Sequence, residues 1–145
     1  MNNKTPQPSH PQLKPVCKII TQLLLRHSIP THAKRLALNF KSSQFYTKKQ
    51  GAQSVEIQIE RPTSYADWEI LLVVEFKYPT QESERLDLFQ YFDFYHGLFY
   101  LPNAECLELT DQKAQAQLKS WIKSFLTHTN QGSFDIQIVT LVKSI

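Results

Sequence analysis

Every second residue from Trp68 to Tyr78 keeps one face apolar. Trp68, Ile70, Leu72, Val74, Phe76 and Tyr78 are all apolar or aromatic, and Glu69, Glu75 and Lys77 fall between them. Strand side chains point alternately to the two faces, so this run predicts a long β-strand with one core wall and one mixed face. Arg85 to Tyr95 repeats the pattern, with Leu86, Leu88, Phe92 and Phe94 on one face and Arg85, Asp87 and Asp93 on the other. The link between the two runs is only Pro79-Thr80-Gln81-Glu82-Ser83. Two such runs so closely joined predict an antiparallel sheet covered on one side.

The rest of the chain fits around that pair. Val16, Ile19, Ile20, Leu23 and Leu24 recur at helical spacing, Pro15 suits a first turn, and Pro30 forbids continuation, which predicts a helix over 12–28. Leu36, Leu38 and Phe40 predict a strand, and 41–51 reads as a polar loop carrying Phe45 and Tyr46. Val55, Ile57 and Ile59 predict the next strand, and His96-Gly97 a turn into Leu98–Leu101. Ala114, Leu118, Trp121, Ile122 and Phe125 predict a second helix over 110–128, capped by Thr110 or Asp111. Gly132 offers a left-handed exit, and Phe134, Ile136 and Ile138 predict a last strand. The short connections give an α+β fold: an antiparallel sheet of about five to seven strands, with an N-terminal and a C-terminal helix on the face carrying Ile70, Leu72, Phe92 and Phe94. Residues 1–11 read as a flexible tail and 12–145 as one domain.

Composition narrows the function classes. The chain has three glycines against nine Phe, six Tyr and two Trp. That poverty argues against a phosphate-cradling loop, which needs close backbone approach. Cys17 and Cys106 have no metal-ligand spacing and read as two reduced, buried thiols. Met1–Pro15 is polar and Pro-rich, and no apolar run approaches a membrane span, so the expected setting is cytoplasmic. Net charge is +3, yet residues 1–50 hold nine basic residues and no Asp or Glu. Lysines beside stacking aromatics can grip single-stranded nucleic acid, and Lys41, Phe45, Tyr46, Lys48 and Lys49 are the one set that fits.

Several segments together resemble a bacterial family of uncharacterised proteins often encoded on mobile genetic islands. These are Ser54-Val55-Glu56-Ile57, Trp68 through Glu75-Phe76-Lys77-Tyr78, Leu88 through Phe92-Asp93-Phe94-Tyr95-His96-Gly97-Leu98-Phe99, and Trp121 with Phe125 and Gly132-Ser133-Phe134-Asp135. The resemblance covers roughly residues 35–142. Two departures stand out: a single glycine, Gly51, where the family tends to have a Gly pair and a proline, and Glu75 where it tends to have Asp. The family's fold is similar to that of the mitochondrial matrix protein that binds complement heads, a twisted antiparallel sheet with terminal helices that assembles as a ring-shaped trimer. The resemblance thus implies this fold and raises the expectation of an oligomer. It implies no activity, and the matrix protein's strongly acidic surface has no counterpart in a chain of net charge +3.

No grouping of residues supplies a reaction. Glu56, Glu75 and Asp93 interrupt apolar strands, but alternation can place all three on the polar side, paired with lysines or water. His27 and His32 are too loosely spaced for a metal pair, and His96 stands alone. The expectation is a non-enzymatic binding or scaffold protein without cofactor or metal, self-associating as a homo-oligomer. Its expected contact residues are Phe89, Tyr91 and Tyr95, which share the second sheet face with Asp87 and Asp93. A nucleic-acid accessory role through the basic set is the alternative.

Overall fold

Pro11–Leu13 form a 3-10 turn that leads into α1 (Lys14–Leu25), with Pro15 in the first turn as its missing N–H allows. The computed structural model describes residues 11–102, 104 and 106–145. Of the expected tail, residues 1–10 lie outside these, and Pro11 belongs to the turn. Val16, Ile20 and Leu23 form the buried stripe of α1. The helix ends before residue 28 because the Arg26 and His27 N–H groups already bond back to Leu23 and Leu24 in a tighter turn.

The strands are β1 (Ala33–Lys41), β2 (Ser54–Glu60), β3 (Glu69–Lys77), β4 (Asp87–Asp93), β5 (Leu98–Tyr100), β6 (Leu107–Glu108) and β7 (Ile136–Ser144). They form one antiparallel sheet in the order β6-β5-β4-β3-β2-β1-β7. Consecutive strands pair as hairpins until β6. The chain then crosses back over the helix face in α3 (Gln112–Asn130) and lays β7 beside β1. Asp111 caps α3, its carboxylate accepting the Lys113 N–H at 2.8 Å. Gly132, at φ +71°, turns the chain out.

Residues 41–51 are not the expected loop throughout. Ser43–Lys48 form a short helix, α2, which Lys49 ends in the left-handed region at φ 56°. Polar composition hid a helix that is held by one buried anchor, Phe45.

Val16, Leu23, Leu118, Trp121 and Phe125 of the helices meet Leu36, Leu38, Phe40, Val55, Ile57, Ile59, Val73 and Phe92 of the sheet in one core. The expected core face therefore holds for Ile70, Phe92 and Phe94 but not for Leu72. Register pairs Ile57 with Val73 and Val73 with Phe92, so Val73 faces the helices and Leu72 and Val74 face away. A bulge between the Gln58–Leu72 and Ile59–Ile70 pairs leaves Leu71 extra and returns Ile70 to the core side. A second bulge steps over Phe89, between Glu75–Gln90 and Phe76–Leu88, and moves Leu88 to the far face. Of the two thiols expected in the core, Cys17 is half-buried and Cys106 is exposed.

Candidate functional site

Both long helices pack on one face of the sheet, so the other face is where the chain can still make contacts. Alternation and register assign its residues. Arg35, Ala37 and Asn39 come from β1, Glu56 and Gln58 from β2, Leu72 and Val74 from β3, Tyr91 and Asp93 from β4, and Tyr100 from β5. None of them belongs to the helix-side core. At one end α2 folds over this face: the Tyr46 hydroxyl donates to Ser54 Oγ at 2.8 Å, and Lys41 Nζ lies 6.0 Å from the Tyr46 ring. The rest carries no helix among the described residues.

Tyr91 is the centre of the open part. It pairs across the hairpin with Tyr100, and the rings meet edge to face at 5.5 Å. Burial pushes the Tyr91 hydroxyl pKa up, Asp93 adds to the rise and Arg35 opposes it, so the group is a neutral phenol near pH 7. The polar neighbours are already matched. Arg35 forms an ion pair with Glu60 at 2.9 Å, and Gln58 donates to Glu56 at 2.8 Å. The surface is thus aromatic at one end and internally neutralised at the other, which suits a flat, partly apolar contact.

Of the three expected contact residues, only Tyr91 sits on this surface. Tyr95 lies in the turn after β4, is 73% exposed, and its ring meets the His96 ring edge-on, at 4.8 Å. Phe89 sits at the bulge under Lys77 Nζ, 4.4 Å from its ring, beside a groove of 420 Å³ lined also by Pro79, Leu88, Leu101 and Pro102. Tyr100 was missed because its run is too short to show alternation. Hairpin arithmetic about Tyr95–His96 could have found it, since that centre pairs Asp93 with Leu98 and Tyr91 with Tyr100.

The basic set does not assemble. Phe45 is 4% exposed and packs on Tyr46 and Tyr78 at 5.5 and 5.2 Å, so it cannot stack on a base. Lys49 is spent inside the chain: its ammonium donates to the Gln81 and Ser83 carbonyls and lies 4.9 Å from the Tyr78 ring. Lys48 is exposed, and Lys41 remains beside Tyr46.

The three acids do not share the polar side. Glu56 and Asp93 lie on the open face, whereas Glu75 pairs with Val55 and Gln90 on the helix side. Asp93 is buried and holds the turn, accepting the His96 N–H at 3.0 Å and contacting His96 Nδ1 at 2.8 Å. Glu75 accepts from Gln90 Nε2 at 2.8 Å, and its pKa is raised by burial, against a downward pull from that bond and from Lys77. Among the described residues no group of three or more His, Cys, Asp and Glu side chains could hold a metal ion.

Glu75 carries a stability consequence. A carboxyl whose folded pKa is raised keeps its proton in the native state where the unfolded chain has lost it. Its stabilising contribution is therefore complete below the ordinary carboxylate pKa and disappears as pH rises through the raised value. Glu75→Gln keeps the acceptor for Gln90 without the buried charge. In urea melts it is expected to match the parent in acid and to exceed it at pH 7. A parent chain as stable as the variant at pH 7 would contradict this.

Two solved structures share the arrangement. A hypothetical protein from the VSP-II pathogenicity island of Vibrio cholerae superposes with a TM-score of 0.81 at 22% identity, over 97% of this chain and 100% of that one. A conserved hypothetical protein from the VPI-2 pathogenicity island of the same organism superposes with a TM-score of 0.73 at 23% identity, over 88% and 92%. The latter is described as sharing structural homology with the human P32 protein. No curated protein matches the chain. Residues 14–139 match the family described as "Protein of unknown function (DUF2787)". No helix among the described residues is long and apolar enough to cross a membrane.

Proposed function

We propose, from the premise that this chain belongs to the DUF2787 family of proteins of unknown function, that it is a non-enzymatic binding or scaffold protein acting through protein–protein contacts. The observation that carries the reading is the sheet face around Tyr91 and Tyr100, which neither α1 nor α3 covers because both pack on the opposite side. A sheet face on which Tyr100 is exposed and Leu72 and Tyr91 are half-buried gains by meeting a partner. A second copy of the chain is the partner most available at any concentration, and closed symmetry would cover the patch on every copy. The fold shared with the island proteins is compatible with this reading and adds no ligand of its own.

Light scattering on the purified chain at micromolar concentration tests it. The expected mass is a whole multiple of the single chain, and Tyr91→Ala is expected to lower that mass. A wild type with the mass of one chain removes self-association. An unchanged mass for Tyr91→Ala moves the contact away from this face.

A further inference from the structure

The charges of this chain are sorted between its two layers. Neither α1 nor α3 contains an Asp or Glu. Lys14 and Lys18 of α1, Arg26 at its end, and Lys113, Lys119 and Lys123 of α3 are all exposed. Asp111, which caps α3, adjoins this layer, and the other described acids sit in strands or loops. Helix surfaces commonly offset lysines with Glu one turn away. Here that offset is missing, and the two ion pairs found among the described residues, Arg35–Glu60 and His96–Asp93, lie elsewhere. The helices pack on the same side of the sheet and are tied at their starts, where Gln12 Nε2 donates to Gln115 Oε1 at 3.0 Å. Their outer faces are therefore parts of one basic surface, although the whole chain carries a net charge of only +3.

We propose that this helix layer docks double-stranded DNA, gripping the phosphate backbone without reading sequence. The contact goes beyond the open-face contact and uses the opposite side of the sheet. Charge complementarity selects a polyanion, and the side chains between the lysines select which one. Protein interfaces are anchored by aromatic or apolar side chains at their centre, and amphipathic helices enter an anionic membrane by an apolar face. The outward residues of α3 are Gln112, Ala116, Lys119, Ser120 and Lys123, and its large apolar residues are turned into the core. Leu25 of α1 is the one exposed large hydrophobic residue of this layer among those described. Single strands call for stacking aromatics, and the only Trp and Phe of these helices, Trp121 and Phe125, are buried. A duplex backbone asks for none of these. Lys119 and Lys123 are four residues apart, about 6 Å along one side of α3, and Lys14 and Lys18 repeat that spacing on α1. Ser120 and Ser124 lie exposed among the lysines and can donate to phosphate oxygens. The 19 residues of α3 span about 28 Å, the length of roughly eight base pairs. A helix with such short outward side chains fits the wide major groove of B-form DNA, whereas the deep, narrow groove of duplex RNA excludes it.

Fluorescence anisotropy with a labelled DNA duplex of mixed sequence, about 20 base pairs long and so longer than α3 can span, tests the surface. Wild type is compared with Lys119→Gln plus Lys123→Gln and with Lys14→Gln plus Lys18→Gln. A control pair, Lys48→Gln plus Arg85→Gln, removes the same charge from exposed positions outside the helix layer. All these side chains are exposed and none lies on the open face, so far-ultraviolet circular dichroism and the mass by light scattering are expected to stay unchanged. At low salt each helix pair is expected to weaken binding by about tenfold or more, and to make the slope of log affinity against log salt shallower by about 0.9 per lysine removed. The control pair is expected to keep the wild-type affinity and slope. A wild type that does not bind the duplex, or a control pair that loses as much as the helix pairs, overturns the proposal. Tighter binding to an RNA duplex or a single strand of the same length, to a polyglutamate peptide, or to phosphatidylserine vesicles also overturns it, by assigning the surface to another polyanion.

Discussion

Trp121→Ala is expected to lower the free energy of unfolding by about 3–5 kcal/mol, the range for large aromatic truncations in cores. Trp121 is 2% exposed and stacks on Phe125 at 5.0 Å. It reaches Phe92 at 6.2 Å, and Phe92 stacks on Phe99 at 4.8 Å. Phe125 in turn meets Phe40 and Phe134 at 5.1 and 5.5 Å. Trp121 is thus the middle link of an aromatic chain running from β5 under α3 to β1. Its removal opens a void that rigid rings on both sides cannot close. The indole N–H is buried without a hydrogen-bond partner, which offsets part of the benefit of the ring. Trp121→Phe keeps most of the ring and drops the orphan donor, so it is expected to cost well under half as much. Urea melts followed by circular dichroism decide between these outcomes. A loss below about 1 kcal/mol for Trp121→Ala would mean that the α3–sheet contact is not a principal source of stability.

The helical spacing of Leu118, Trp121, Ile122 and Phe125 made this contact legible in the sequence, because a stripe of that kind has only one way to be buried. The sheet was legible for the same reason, except where bulges occur. A bulge inserts one residue and reverses which face every later side chain takes, and no local composition marks it. Leu72 was therefore assigned to the wrong face, and Phe89 was grouped with Tyr91 although it sits at the bulge itself. Tyr95 was misplaced by strand length: β4 stops at Asp93 because the Asp93 carboxylate turns the chain by bonding His96. The basic set is dispersed for another reason. Charge and aromaticity in 41–49 describe side chains but not their partners, and burial of Phe45 and the carbonyls around Lys49 appear only in three dimensions. The β7 edge was half visible, as alternation without any sign that the strand would be outermost.

The same limit concealed Arg61, which reads as an ordinary charge before Pro62. Arg61 is 9% exposed, and its guanidinium donates to four backbone carbonyls. Nε reaches Ala33 at 2.9 Å, Nη1 reaches Ser64 at 3.0 Å, and Nη2 reaches Thr31 and Pro30 at 3.2 and 3.3 Å. The Trp68 ring covers its face with a centroid distance of 4.2 Å. The only ion pairs found among the described residues are Arg35–Glu60 and His96–Asp93, so the charge of Arg61 is balanced by carbonyl dipoles. One side chain thereby joins the α1–β1 connection to the β2–β3 connection, two turns that share few other bonds. Arg61→Ala leaves those carbonyls without their donors in a site that water reaches poorly. The expected loss is about 2–3 kcal/mol, the cost of leaving buried acceptors without their donors. Arg61→Lys should recover less than half of it, because an ammonium is a point charge that cannot fork to four acceptors or lie flat on an indole. Denaturant melts of both variants provide the check, together with hydrogen exchange of the Ala33 amide, which bonds to Pro30 at 3.0 Å. A lysine variant as stable as the parent would show that charge alone suffices and that the fork contributes nothing.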